Sequence, residues 1–252
     1  MNFIIVLILF ILFFILLLKI LSLKHSSFKE NVFENKIYGK LSTIINKNFV
    51  YKNVYIKRQN GRLTELDCLA VHTTGIYVFE CKNYGGVISG NVDTKEWKHT
   101  YENGEKHTFF NPVFQNEVHI NAVKFLTKNY DIPYYSIIIF SDKCKIENIS
   151  GNASNTFIIN ENKLNDLMKK LLSSRKKIDD KTLKNINSII KKNSSTSKSN
   201  HRKLIKDMKK GLTKCPYCNG DIIEIKNKRS KYYRCSNHPK CKYKADKLRE
   251  II

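Results

Sequence analysis

The chain has 252 residues, 42% hydrophobic and 11% aromatic, enough apolar mass for one medium domain plus a small accessory module, and not the composition of a disordered polymer. Its formal charge is +23 and unevenly spread: from Lys163 onward 27 Lys and Arg face 8 Asp and Glu, a balance of +19, against +4 before that point. Seven cysteines without a paired framework argue against a secreted disulfide scaffold, and a basic second half suits a polyanionic partner better than an acidic protein would. A bias toward Lys, Asn and Ile raises lysine everywhere, but does not by itself load it onto one end.

The chain opens with an unbroken apolar run from Phe3 to Leu18, followed by Lys19, Ile20 and Leu21. About 20 residues cross a bilayer core, and the run reaches that length if Lys19 extends its amine to the headgroups. No basic leader and no small-residue cleavage site accompany it, so the expectation is an uncleaved transmembrane helix over residues 1–23. A buried core helix is the alternative. Lys19, Lys24 and Lys29 follow the run and predict a single-pass protein of the cell membrane, with residues 22–252 in the cytoplasm.

Residues 28–47 carry apolar side chains near helical spacing: Val32, Phe33, Ile37, Leu41, Ile44 and Ile45. Phe49 to Lys57 alternates like a strand, and Asn60-Gly61 is a turn signal. Leu63 to His72 and Ile76 to Lys82 read as two further strands joined by Thr73-Thr74-Gly75. Gly85-Gly86 breaks the chain. Asn111-Pro112 opens a helix to about Lys128, Tyr134 to Phe140 has buried-strand character, and Thr156 to Ile159 is a short last strand. This order predicts a mixed α/β domain over residues 28–160.

Within it, Asp67 precedes Glu80-Cys81-Lys82. Residues two apart on a strand face one side, so Glu80 and Lys82 project together, with Asp67 on the neighbouring strand. Two close carboxylates offer oxygen ligands to Mg²⁺ or Mn²⁺, and an adjacent lysine orients water or neutralises developing charge. An exposed salt-bridged strand face would use the same residues.

The stretches Leu66-Asp67-Cys68-Leu69-Ala70-Val71-His72 and Gly75-Ile76-Tyr77-Val78-Phe79-Glu80-Cys81-Lys82-Asn83-Tyr84-Gly85-Gly86 resemble the nuclease-related domain (NERD) family. So does Asn111-Pro112-x-x-Gln115-Asn116-x-x-His119. The resemblance covers roughly residues 36–145 and implies a restriction-endonuclease-like mixed-sheet core of the PD-(D/E)xK nuclease superfamily. It further implies Asp67 and Glu80 as metal ligands, Lys82 as the catalytic lysine and Gln115 beside them. Gln115 would equally serve as a helix cap or a phosphate contact, and His119 as a packed or solvent-facing histidine. Family members carry Gly-Glu in the first helix; here the matching pair is Gly39-Lys40, and Glu34, six residues earlier, falls on a different helical face from position 40.

Residues 161–212 hold two Lys-rich helices, near 161–173 and 180–192, and a Ser-rich linker at 193–200. In residues 213–252, Cys215 and Cys218 form one pair and Cys235 and Cys241 a second, four thiolates for a tetrahedral structural zinc. A redox pair is the rival for the first, but leaves the second unexplained. The pattern resembles the four-cysteine zinc finger at the C-terminus of bacterial type IA topoisomerases, which implies single-stranded DNA as partner. Tyr232, Tyr233 and Tyr243 would stack on bases while Lys228, Arg229, Lys231, Arg234, Lys242 and Lys244 meet phosphates. A zinc-stabilised protein-interaction module is the alternative. Two readings of the whole follow. One is a membrane-anchored, metal-dependent deoxyribonuclease. The other is a catalytically weak protein that tethers DNA at the membrane.

Overall fold

The computed structural model describes residues 2–59, 63–128, 131–193, 222–226, 231–241 and 244–245. It begins with one helix, α1 (Asn2–Ile44), in which the apolar N-terminal run and the predicted helix over 28–47 are continuous. At 1.5 Å per residue this rod is about 64 Å long. Phe33, Ile37 and Leu41 recur every four residues, so they form one buried stripe, continued by Ile45. Phe10 to Leu17 are all exposed, on every side of the helix. Among the described residues, no helix is long and apolar enough to cross a membrane.

After α1 come β1 (Val50–Lys57), β2 (Leu63–His72) and β3 (Gly75–Lys82), an antiparallel meander. Then β7 (Tyr134–Phe140) and β9 (Thr156–Asn160) add in parallel, giving a five-stranded mixed sheet of order β1-β2-β3-β7-β9. β3 and β7 are almost wholly buried because both sheet faces are covered. Cys68, Ala70, Tyr77, Phe79, Ile137 and Ile139 face α1 and α3 (Leu164–Leu172). Leu69, Val71, Ile76 and Val78 face α2 (Pro112–Thr127) and α4 (Asp180–Asn193). The Lys-rich helices therefore belong to the layers of this fold: Leu164 and Met168 enter one core, Ile186 and Ile190 the other.

Sequence reading missed a second sheet, of order β6-β5-β4-β8, built from β4 (Gly86–Asn91), β5 (Glu96–Thr100), β6 (Lys106–Phe110) and β8 (Cys144–Ser150). Its core is Trp97, with Ile88, Val92 and Cys144 packed against Phe140 and Val113. Gly86 starts β4 at φ +72°, where a Cβ would lie 2.2 Å from the Thr100 carbonyl oxygen, so only glycine fits.

Near the C-terminus, β10 (Ile222–Lys226), β11 (Lys231–Cys235) and β12 (Lys244–Ala245) form a three-stranded antiparallel sheet. Cys235 is buried, and its sulfur accepts a hydrogen bond from the Asn237 amide at 3.3 Å. Cys215, Cys218, Lys228, Arg229, Lys242 and Tyr243 lie outside the described residues, as do the side chains of Lys231, Tyr232, Tyr233 and Lys244. Arg234 is half-buried.

Candidate active site

The site lies where the five-stranded sheet forks. Backbone pairing between β2 and β3 ends at Cys68 and Phe79, although both strands continue. Beyond that point β2 stays with β1, while β3 stays with β7 as far as Lys82 and Phe140. The Cys81 amide is thereby deprived of a strand partner, and Asp67 Oδ2 accepts its hydrogen bond at 2.7 Å. Asn53, on β1 at φ +49°, faces the same break in the alternation. On either side of it Val50 points to the α1 face and Val54 to the α2 face.

The fork opens into a cavity of about 1090 Å³ lined by Asp67, Glu80, Lys82 and Gln115. The sequence-predicted set is thus brought together. Lys82 Nζ donates to Glu80 Oε1 at 2.6 Å and to Gln115 Oε1 at 3.2 Å. Gln115 stands on the first turn of α2, whose start is fixed by Asn111. The Asn111 side chain accepts from the Val113 amide and donates to the Val92 and Thr94 carbonyls. Asn116 pins the same helix to the sheet by donating to the Val78 carbonyl and Ser136 Oγ. His119, one turn beyond Gln115, is buried, with Nε2 3.2 Å from Glu80 Oε2.

α1 supplies the opposite wall. Glu30, Glu34 and Tyr38 are four apart and line the cleft, joined by Glu65 from β2. Glu34 therefore reaches the cleft from a face of α1 other than that of position 40, the difference its spacing predicts. The helical face that matters contains residues 30, 34 and 38, and position 40 is not on it. Lys40 instead pairs with the buried Glu161 at 2.6 Å, together with Lys36 at 2.7 Å.

Five carboxylates therefore share the cleft with the cations Lys82 and Lys52, and Lys52 is engaged by Asn35 at 2.5 Å. Burial, then the Glu80 and Glu34 charges, push Asp67 well above the usual carboxylate range. Burial, with Glu65, Glu30 and Glu80, lifts Glu34 to about 7. Glu80 behaves oppositely: burial would raise it, but Lys82 and His119 outweigh that and hold it below its ordinary value. Burial would lower Lys82, yet Glu80 holds it above the ordinary lysine range, so it stays an ammonium. Among the described residues, no three His, Cys, Asp or Glu side chains converge closely enough to form a ready-made metal cage. Asp67, Glu80 and Glu34 nevertheless repel one another at an exposed-to-buried boundary. A divalent cation is the species that relieves such repulsion, so the donor set fits one.

Residues 29–141 match the family model described as nuclease-related domain. An uncharacterized protein of Bacillus anthracis is 29% identical over 116 residues, covering 46% of this chain and 54% of that protein. The chain thus spans about half the length of that curated relative. No solved structure matches. The match ends before the four-cysteine segment, and includes Asp67, Glu80, Lys82, Gln115 and the α1 wall from Lys29 onward. Residues 29–141 of this chain are a nuclease-related domain.

Proposed function

We propose that the forked sheet is the active site of a metal-dependent phosphodiesterase acting on DNA. The observation that carries this reading is the convergence of Asp67, Glu80, Lys82 and Gln115 at the cleft floor. Asp67 and Glu80 would hold Mg²⁺ or Mn²⁺, with Glu34 nearest among the other acids in its electrostatic effect on Asp67. The cation would supply charge neutralisation at phosphate and a more acidic water. The protein's own part is positioning. Lys82, paired with Glu80 and held as an ammonium, acts by its charge rather than as a general base. It holds a fixed positive charge beside the reacting phosphate, and Gln115 steers its ammonium. Asp67 keeps the fork open by taking the Cys81 amide. The test is incubation of the full chain with labelled single- and double-stranded DNA and RNA, with Mg²⁺, Mn²⁺ or chelator. Cleavage of DNA that needs the metal supports the reading. Wild-type protein that binds DNA but never cuts it supports the tethering reading instead.

Two accessory roles complete the proposal. The exposed apolar residues Phe10 to Leu17, with the apolar sequence around them, suit a bilayer better than water and support a single-pass anchor with the cleft in the cytoplasm. Membrane fractionation, before and after removal of residues 1–24, tests this. Cys235, buried and bonded by a backbone amide, has the setting of a metal thiolate, and supports one structural zinc shared with Cys241, Cys215 and Cys218 in a ribbon that binds single-stranded DNA. Elemental analysis of wild type and Cys235→Ser tests the zinc. The salt dependence of DNA binding tests the ribbon's partner.

A further inference from the structure

Helix α2 reads strand β3 through two residues one turn apart. Four helical residues advance about 6 Å, and two strand residues advance about 6.8 Å. Gln115 and His119 therefore fall opposite Lys82 and Glu80, and each makes its contact: Gln115 Oε1 to Lys82 Nζ at 3.2 Å, His119 Nε2 to Glu80 Oε2 at 3.2 Å. The histidine is 4% exposed and Glu80 1% exposed. The contact is not aligned as a straight hydrogen bond, and among the described residues neither Glu80 Oε2 nor His119 Nε2 has a hydrogen-bond partner. Two buried polar atoms without alternatives are costly unless they serve each other.

The other ring nitrogen is accounted for. His119 Nδ1 lies 2.7 Å from Thr64 Oγ1, on the part of β2 beyond the fork. A threonine hydroxyl that donates to Nδ1 leaves the ring proton on Nε2, aimed at Glu80. Glu80 is then gripped on both oxygens, by Lys82 on Oε1 and His119 on Oε2.

We propose that His119 is a positioning residue for Glu80, with Thr64 setting its tautomer, so that one carboxylate rotamer faces the cleft in readiness for a cation. This rests on the metal-dependent reading of the cleft for its use, but not for its geometry. Thr64 and His119 bridge the two arms of the fork: Thr64 belongs to the β1–β2 arm, and His119 to the helix seated on the β3–β7 arm. The grip on Glu80 and the opening of the fork are thus coupled through one ring.

The test has two independent readouts on the full chain in detergent micelles. The first is the ¹⁵N–¹H long-range correlation spectrum of histidine-labelled protein, with the His119 signals assigned by their loss in His119→Gln. The Nε2–H form is expected in the wild type, and mixed tautomers in Thr64→Val. A wild-type ring protonated on Nδ1 alone overturns the proposal, whatever the protein does with metals. The second is Mn²⁺ affinity by electron paramagnetic resonance, taken as the binding that Asp67→Asn removes. His119→Leu is expected to weaken it roughly tenfold or more, the usual scale for losing a group that orients a ligand. His119→Gln, which keeps an N–H near Glu80, should restore most of the loss. Thr64→Val should weaken binding alone, but add nothing in the His119→Leu background. A folded His119→Leu protein with wild-type Mn²⁺ affinity shows that the ring only packs, and overturns the proposal. Should the wild type show the Nε2–H tautomer but no Mn²⁺ binding sensitive to Asp67→Asn, the metal reading fails and the grip on Glu80 stands.

Discussion

α1 takes part in two ion clusters on two of its faces, each built around a buried carboxylate, and they are unbalanced in opposite senses. On the cleft face, Glu30 and Glu34 join Glu65, Asp67 and Glu80 around Lys82. On the other, Lys36 and Lys40 converge on the single carboxylate of Glu161. The second cluster is self-sufficient. Burial alone would raise Glu161, but the two lysines hold it below the ordinary range, and the cluster clamps α1 to the end of β9. The first is not: in a chain of charge +23, carboxylates are gathered where they raise one another. A cluster whose buried charge is fully answered by its neighbours is architecture. One with surplus acids, open to solvent, asks for a cation from outside.

The largest effect that would sharpen this contrast is on chemistry. Asp67→Asn and Glu80→Ala should each abolish metal-dependent DNA cleavage; Asp67→Asn removes surplus charge and should leave the melting temperature unchanged or higher, whereas Glu80→Ala strands Lys82 and His119 and should lower it. Cleavage that survives both would remove the cleft from consideration. Next, Lys82→Ala should slow single-turnover cleavage by about 10²-fold, the scale for one positioned charge-stabilising group. A loss confined to substrate affinity would make Lys82 a binding residue only.

Lys40→Glu separates the two clusters most cleanly. Resemblance alone would make it a restoration of the family glutamate. In this fold it sets a carboxylate against Glu161, and should cost about 1–3 kcal/mol of stability, read in urea unfolding, with no gain in cleavage. A more active and equally stable variant would mean that α1 rotates its position-40 face into the cleft.

The smallest effect is on pH. Glu34 ordinarily titrates near 4.5 and is held at about 7 here, so the folded state favours its protonated form. Its contribution to stability is then full below about 4.5 and is lost as pH rises through about 7. A cation must displace that proton. Mn²⁺ affinity should therefore climb with pH up to about 7 and flatten above it, and Glu34→Gln should shallow the climb. Calorimetry in two buffers of different ionisation enthalpy reads the protons released.

The strands that form the cleft were legible because their patterns are strong. Leu63–His72 and Tyr134–Phe140 have the bounds the sequence predicts, the first because turn signals close it at both ends and the second because its apolar run leaves little choice. The four-stranded sheet was not. Its strands are short, β5 buries only Trp97 and His99, and β6 buries nothing fully, so periodicity has too few residues to act on. The alternation of Trp97 and His99 was the available signal. Asp67, Glu80 and Lys82 were found from strand spacing and resemblance together. Glu34 was weighed only by its angle to residue 40, whereas the cleft is lined by α1 along 30, 34 and 38. Thr64 gave no sequence signal, because its partner lies 55 positions away.

The hydrogen bond from the Cys81 amide to Asp67 acts as a stop on a zipper. Antiparallel strands joined by a tight turn tend to pair along their whole length, and the β2–β3 hairpin halts at Cys68 and Phe79. The side chain one residue past that halt takes the next donor on β3 and so removes the reason to continue. The width of the cleft is then a property of strand register, and a single short carboxylate both sets the aperture and faces into it. Asn at position 67 retains an oxygen acceptor and can hold the aperture without the charge, whereas Ala releases the amide and lets the hairpin close over the cleft.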